Sequence, residues 1–101
     1  MYHPIDVQEL FARLSKGDNL ILLDVREEIE FHTYNIGGKN IPLSKLYNNI
    51  DQQGYNKTDE IIVMCKVGLR SETACRQLVE KGYLHARNLT GGLVALQKLK
   101  R

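Results

Sequence analysis

The residues best suited to chemistry in this chain are a cysteine and an arginine separated by four residues. Cys65 follows an apolar run over residues 61–64, and Arg70 precedes an amphipathic pattern that begins at Ser71. The run predicts a buried strand of a parallel sheet, and the pattern predicts a helix. A loop that enters a helix N-terminus directs backbone N–H groups and the positive end of the helix dipole at whatever it encloses. We therefore expect the Cys65 thiol to have a lowered pKa and to be partly thiolate near neutral pH.

The remaining reactive side chains have no comparable setting. Cys75 lies on the apolar stripe of the predicted helix with Ala74 and Leu78, which favours packing in the core over a resolving role with Cys65. The histidines show no metal-ligand spacing and are predicted to lie on the surface; they are His3, His32 and His85. The sequence therefore predicts neither a metal nor a cofactor.

The elements that must position Cys65 alternate between apolar runs and helical patterns. Strands are predicted over residues 20–23, 40–42, 61–64 and 86–89. Helices are predicted from Asp6 to Gly17, over 43–50, from Ser71 to Gly82 and over 93–99, and a short helical turn is predicted over 27–32. Residues 51–60 are predicted to form a surface loop. Asp6, followed by Glu9, has the spacing of a capping box at the start of the first helix.

This alternation predicts an α/β domain with a mostly parallel central sheet and helices on both faces. Ligand sites of such sheets lie beyond the carboxyl ends of the strands. Asp24 and Cys65 each follow a predicted strand, so we expect both to lie at the same opening beyond the carboxyl ends of the strands, which we call the mouth of the site.

Size and composition favour a single domain over residues 1–101. Hydrophobic residues make up 43% and charged residues 26%, and the net charge of +2 gives no bulk attraction to nucleic acid or membranes. The first residues lack a signal-peptide pattern, and no apolar stretch approaches the length of a membrane span. The two cysteines are fewer than small secreted scaffolds carry, so we predict a cytoplasmic protein with reduced thiols.

Four segments resemble, in order, motifs of the single-domain rhodanese family. The loop over 65–71 resembles the active loop Cys-x-x-Gly-x-Arg-Ser, residues 23–27 resemble the Asp-Val-Arg segment, 35–43 resemble the segment that ends in Asn-Ile-Pro, and 88–92 resemble the late Gly-Gly turn. Asn35 stands where the family usually has His, and Leu96 stands near where many members carry Trp; both differences are expected to be structural. The variant is most similar to rhodanese domains attached to E1-like adenylyltransferases.

The resemblance implies a rhodanese-like fold and a sulfurtransferase activity. The Cys65 thiolate would attack the outer sulfur of a small anionic donor such as thiosulfate, release sulfite and carry the transferred sulfur as a persulfide. A thiol or cyanide acceptor would then remove it. A cysteine desulfurase or a sulfur-carrier protein is a further candidate partner, whereas nucleic acid and membranes are not expected.

The resemblance also assigns a substrate and persulfide-binding loop that consists of Lys66, Val67, Gly68, Leu69, Arg70 and Ser71. Backbone N–H groups of this loop would form a nest for the anionic sulfur, and Gly68 would permit a left-handed or close-approach conformation in that nest. Arg70 would add a fixed positive charge, suited to an anionic donor. Lys66 is either a mobile substrate contact or a plain exposed lysine, and both remain open. Ser71 is expected to cap the helix, with a hydroxyl contact to the sulfur anion in addition.

Asp24 and Arg26 are predicted to support the loop and not to be catalytic. We expect Asp24 to brace the loop by hydrogen bonding and Arg26 to pair with a carboxylate.

Three other functions compete with a thiosulfate enzyme. A persulfide carrier fed by a cysteine desulfurase needs the same cysteine, so the sequence does not separate the two. Cysteine phosphatases and arsenate reductases use a loop one residue longer between thiol and guanidinium, to enclose a tetrahedral oxyanion. A non-enzymatic interaction module of the same family is disfavoured because such modules commonly lose the loop cysteine, whereas this chain keeps Cys65.

Overall fold

A four-stranded parallel sheet forms the centre of the molecule, of which the computed structural model describes residues 3–100. In chain order the strands are β1 (Ile21–Asp24), β2 (Lys39–Asn40), β3 (Ile61–Met64) and β4 (Ala86–Asn88). Their spatial order is β2-β1-β3-β4, and every neighbouring pair is parallel. The predicted class, an α/β domain with a mostly parallel sheet, is confirmed.

Helices follow or precede each strand. They are α1 (Val7–Ser15), α2 (Glu28–Thr33), α3 (Leu43–Asn49), α4 (Leu69–Glu80) and α5 (Gly92–Lys100). A 3₁₀ turn, Ile50–Gln53, continues α3 into the segment that was predicted to be a loop. At α1 the Glu9 amide donates to Asp6 Oδ1 at 2.8 Å, but the Glu9 carboxylate binds Arg87, so only half of the predicted capping box forms.

Apolar residues of the central strand β3 pack against helices on both faces of the sheet. Ile61 and Val63 of β3 face the layer of α3 and α4, whereas Ile62 and Met64 face the layer of α1 and α5. All four side chains are fully buried. This double burial accounts for a continuous apolar strand instead of an alternating one.

The start of α4 differs from the prediction. The N-cap is Gly68, with φ of 97°, and the helix begins at Leu69 instead of Ser71. The left-handed Gly68 turns the chain, and the Glu72 amide donates to its carbonyl at 3.2 Å, which starts the helix there. The prediction that Ser71 caps α4 is therefore wrong, because Ser71 is already the third helical residue.

Among residues 3–100, no helix has both the length and the apolar character needed to cross a membrane.

Candidate active site

Cys65 lies directly after β3, enclosed by the turn that leads into α4. Cys65 is only 1% exposed to solvent. The Sγ atom accepts hydrogen bonds from the Gly68 amide at 3.1 Å and from the Ser71 amide at 3.3 Å, and it lies 3.3 Å from Ser71 Oγ. The left-handed turn at Gly68 and the first turn of α4 therefore bring two backbone N–H groups and a hydroxyl to one sulfur atom.

These contacts set the acidity of the thiol. Burial is the largest single effect and raises the pKa of Cys65, but the Ser71 hydroxyl and the amides of Ser71, Gly68 and Val67 outweigh it. The net result is a pKa below the ordinary value of a cysteine. Hydrogen bonds to the charged form favour that form, so the cradle stabilises a thiolate at a buried position.

The N-terminus of α5 holds the loop from the other side. The Leu93 amide donates to the Cys65 carbonyl and the Val94 amide donates to the Lys66 carbonyl, both at 3.0 Å. Gly92 makes this approach possible, since a Cβ atom there would lie 2.5 Å from the Lys66 carbonyl oxygen. The late Gly-Gly turn thus acts on the site by letting α5 come within hydrogen-bonding distance of the loop backbone.

Asn88, the last residue of β4, is a site residue that the sequence analysis missed. The single proton of the Ser71 hydroxyl can be donated to Asn88 Oδ1 or to Cys65 Sγ, both of which lie within hydrogen-bonding distance, and Asn88 Nδ2 donates to the Gly68 carbonyl at 3.2 Å. The residue is buried. Its position at the carboxyl end of a buried strand could have indicated a site residue, as it does for Asp24 and Cys65.

Arg70 does not offer a free charge, because it forms an ion pair with Glu30 of α2. Its Nη1 and Nη2 donate to Glu30 Oε1 and Oε2 at 2.6 and 3.0 Å. The hydrogen bond from Arg70 is the main cause that lowers the pKa of Glu30 to about 2. The same bond raises the pKa of Arg70, to which the charges of Cys65 and Glu27 also contribute. Glu30 is a second site residue that the sequence did not predict, because its partner Arg70 lies 40 positions away.

Asp24 and Arg26 form a buried pair with each other. Asp24 Oδ1 accepts from the Arg26 amide at 3.0 Å, and Oδ2 accepts from Arg26 Nη2 at 2.7 Å. Arg26 Nη2 also donates to the Tyr34 carbonyl at 2.6 Å. Arg26 pairs with a carboxylate as predicted. The expected hydrogen bond between the cysteine loop and Asp24 is absent within residues 3–100, because the Asp24 carboxylate accepts from Arg26 instead.

Cys75 is a core residue, as predicted. It is fully buried in the layer of α3 and α4, and burial raises the pKa of its thiol to about 12. All three histidines are exposed. Within residues 3–100, no three His, Cys, Asp or Glu side chains lie close enough together to hold a metal ion.

A groove of about 310 Å³ lies beside the loop, between α2 and α5. It is lined by Arg26, Ile29, Glu30, Thr33, Tyr34, Lys66, Leu93, Val94 and Gln97. Lys66 and Val94 are joined by the backbone hydrogen bond described above, so the groove borders the residue next to Cys65.

A cysteine cradled by amides at the end of a central parallel strand defines a nucleophilic or anion-stabilising site on an α/β domain. A family model described as "Rhodanese-like domain" matches residues 6–99. The chain therefore belongs to the rhodanese family.

Curated relatives agree with this assignment. The chain is 32% identical over 99 residues to the adenylyltransferase and sulfurtransferase UBA4 of Lodderomyces elongisporus, a match that covers 88% of this chain and 22% of that protein. It is 29% identical over 96 residues to a sulfurtransferase of Allochromatium vinosum, which covers 94% of this chain and 88% of the relative. The chain thus spans about a fifth of the first relative and most of the second.

A solved structure has the same fold. The solution structure of a rhodanese-like domain from an Anabaena protein aligns with a TM-score of 0.87 at 25% identity, covering 98% of this chain and 76% of that one. Family, relatives and fold together support sulfur transfer as the general class of chemistry.

Proposed function

We propose that this protein is a sulfurtransferase that carries a sulfane sulfur as a persulfide on Cys65. The observation that carries the proposal is the cradle of two amides and one hydroxyl within 3.1 to 3.3 Å of Sγ. A buried thiolate needs donors such as the two amides, with the Ser71 hydroxyl in reach as a third, and a terminal persulfide sulfur carries the same negative charge.

The reaction has two steps. The Cys65 thiolate attacks the outer sulfur of the donor, a new S–S bond forms, and the donor's own S–S bond breaks so that its remainder leaves with the electron pair. With thiosulfate that remainder is sulfite. A thiol or cyanide acceptor then takes the outer sulfur and restores the Cys65 thiolate.

The contacts of Arg70 weigh against a phosphatase. A phosphatase loop needs its guanidinium for the equatorial oxygens of the phosphate, whereas both terminal nitrogens of Arg70 bind Glu30. The turn between Cys65 and Ser71 presents its amides to a single atom. We expect negligible hydrolysis of aryl phosphates.

Partners follow from the same chemistry and remain proposals. A cysteine desulfurase can load Cys65, and a sulfur-carrier protein can unload it. The name of the UBA4 relative includes both an adenylyltransferase and a sulfurtransferase. This pairing favours a partner from an adenylyltransferase-linked sulfur-transfer system.

Intact-mass spectrometry tests the proposal. After incubation with thiosulfate or a thiosulfonate, the wild type should gain the mass of one sulfur atom and lose it on addition of cyanide. Cys65→Ser should gain nothing. Cys75→Ser is the matched control, because it removes the other thiol, and it should still gain and lose the sulfur. Loading of Cys65→Ser, or a wild type that no sulfane donor loads, would overturn the proposal.

A further inference from the structure

The charges around the mouth of the site are largely cancelled within the protein. Arg26 is held by Asp24, and Arg70 is held by Glu30. Both guanidiniums bind their carboxylates through two nitrogens, which is the strongest geometry for such pairs. Neither pair therefore presents a net charge to an incoming donor.

Lys66 is the exception. It is exposed, lines the groove, and its ammonium makes no ion pair or hydrogen bond within residues 3–100. Among the residues that line the groove, Lys66 thus carries the one positive charge without an anionic partner, and it directly follows the nucleophile in sequence.

The rest of the groove is mainly apolar. Ile29 is 77% exposed on α2, and the partly exposed Val94 of α5 lines the groove with it. A compact dianion such as thiosulfate has nothing to place against these side chains, and only one of its charges meets a free cation. An organic group attached to the donor would cover them and gain the free energy of apolar burial.

Resting on the proposed function, we infer that Glu30 and Lys66 tune the site for a singly charged sulfane donor whose apolar organic group lies in the groove. Glu30 is the specificity-determining residue, since it cancels the charge of Arg70 that a dianion requires. Lys66 supplies the single charge that remains.

The step is balanced for such a donor. For a thiosulfonate, the Cys65 thiolate bonds to the outer sulfur while the S–S bond of the donor breaks, and a sulfinate leaves with the electron pair. No oxidant or reductant is required.

Three donors separate charge from apolar contact. Thiosulfate is a compact dianion, methanethiosulfonate a compact monoanion, and benzenethiosulfonate a monoanion with an apolar ring. For the wild type, kcat/KM should be highest for benzenethiosulfonate and lowest for thiosulfate, with cyanide as acceptor.

Glu30→Gln is the decisive variant. The Oε1 of Glu30 also accepts from the Glu27 amide at 3.0 Å, and a glutamine keeps that acceptor while it removes the charge. We expect kcat/KM for thiosulfate to rise about two- to fivefold relative to methanethiosulfonate, the range that a partly exposed ion pair is worth. Lys66→Gln should lower kcat/KM for both monoanions.

Glu80→Gln is the matched control, since it makes the same charge change at the far end of α4 and should leave the ratio unchanged. An unchanged or lowered thiosulfate ratio in Glu30→Gln would show that Glu30 only positions Arg70, and the inference would fall. It would also fall if methanethiosulfonate matched benzenethiosulfonate. Neither outcome contradicts the proposed function, which fails if no sulfane donor loads the wild type or if Cys65→Ser is loaded.

Discussion

At the scale of single residues, the lowered pKa of Cys65 comes mainly from its hydrogen-bond donors and not from the Arg70 guanidinium. Arg70 is bound to Glu30, so the sulfur is served by the amides of Gly68 and Ser71 and by the Ser71 hydroxyl. Ser71 is in turn oriented by Asn88. The cradle is thus a short chain of hydrogen bonds that runs from the end of β4 to the nucleophile.

Ser71→Ala should raise the pKa of Cys65. The variant keeps the Ser71 backbone amide but removes the hydroxyl that helps lower the pKa. A higher pKa means less thiolate at neutral pH, so alkylation by iodoacetamide should slow there and its pH midpoint should move upward. The loss also leaves the buried Asn88 Oδ1 without its Ser71 partner, which should cost about 1 to 3 kcal/mol of stability.

Ser44→Ala is the control for this measurement, since it removes an exposed hydroxyl from α3. Its alkylation profile should overlay that of the wild type. A midpoint in Ser71→Ala equal to or below that of the wild type would contradict the assigned effect of the hydroxyl.

The sequence located the nucleophile but not its supporting residues. Cys65 stands out because strand, loop and helix patterns meet at it, all within a few residues. Glu30 and Asn88 reach the loop from α2 and β4, across 40 and 20 positions of chain. Their partners depend on tertiary packing, which local patterns do not report.

At the scale of elements, two helix N-termini enclose one loop. α4 directs its first amides at Sγ, and α5 directs its first amides at the carbonyls of Cys65 and Lys66. The sequence predicted both helices, because apolar spacing and glycines mark them. It placed the start of α4 two residues late, because Leu69 and Arg70 lie in the segment that the motif marks as loop. Only the backbone conformation of Gly68 settles that boundary.

Gly92→Ala should damage this junction severely. The new Cβ would lie 2.5 Å from the Lys66 carbonyl oxygen and 2.7 Å from that of Cys65, so α5 would have to move away from the loop. We expect a clear loss of stability in urea unfolding and slower sulfur loading of the folded fraction.

Gly54→Ala is a matched control, because Gly54 also has a left-handed φ, of 81°, but an added Cβ meets nothing within 4 Å. It should cost only the strain of the backbone conformation, about 1 to 2 kcal/mol. Equal losses for the two variants, with normal loading in Gly92→Ala, would show that the close approach of α5 is not needed.

At the scale of the whole molecule, a second charge cluster ties the fold together away from the cysteine. Glu60, just before β3, accepts from Arg13 of α1 at 2.8 and 2.6 Å and from Arg87 of β4 at 2.9 Å. Arg87 also binds Glu9. The sequence did not reveal this cluster, because its members come from separate elements and look like ordinary surface charges one at a time. It joins α1 to both strands on the side that carries no catalytic group.

This cluster should make stability depend on pH in the acid range. The hydrogen bond from Arg13 is the main cause that lowers the pKa of Glu60 to about 2, against burial and with help from Arg87. A carboxyl whose folded pKa lies below its ordinary 4.5 stabilises the fold above pH 4.5 and loses that contribution as pH falls toward 2. Glu30 adds a contribution with the same sign and window.

Glu60→Gln should therefore unfold at lower urea concentration than the wild type at pH 7, and the difference should shrink below pH 4.5 and disappear as the pH falls through 2. We expect a difference of about 1 kcal/mol, because the Glu60 side chain is 34% exposed and solvent weakens such pairs. Glu80→Gln, at the exposed end of α4, should follow the wild type at every pH. A Glu60→Gln difference that stays constant from pH 7 to pH 2 would mean that packing of the side chain, and not its charge, stabilises this side of the molecule.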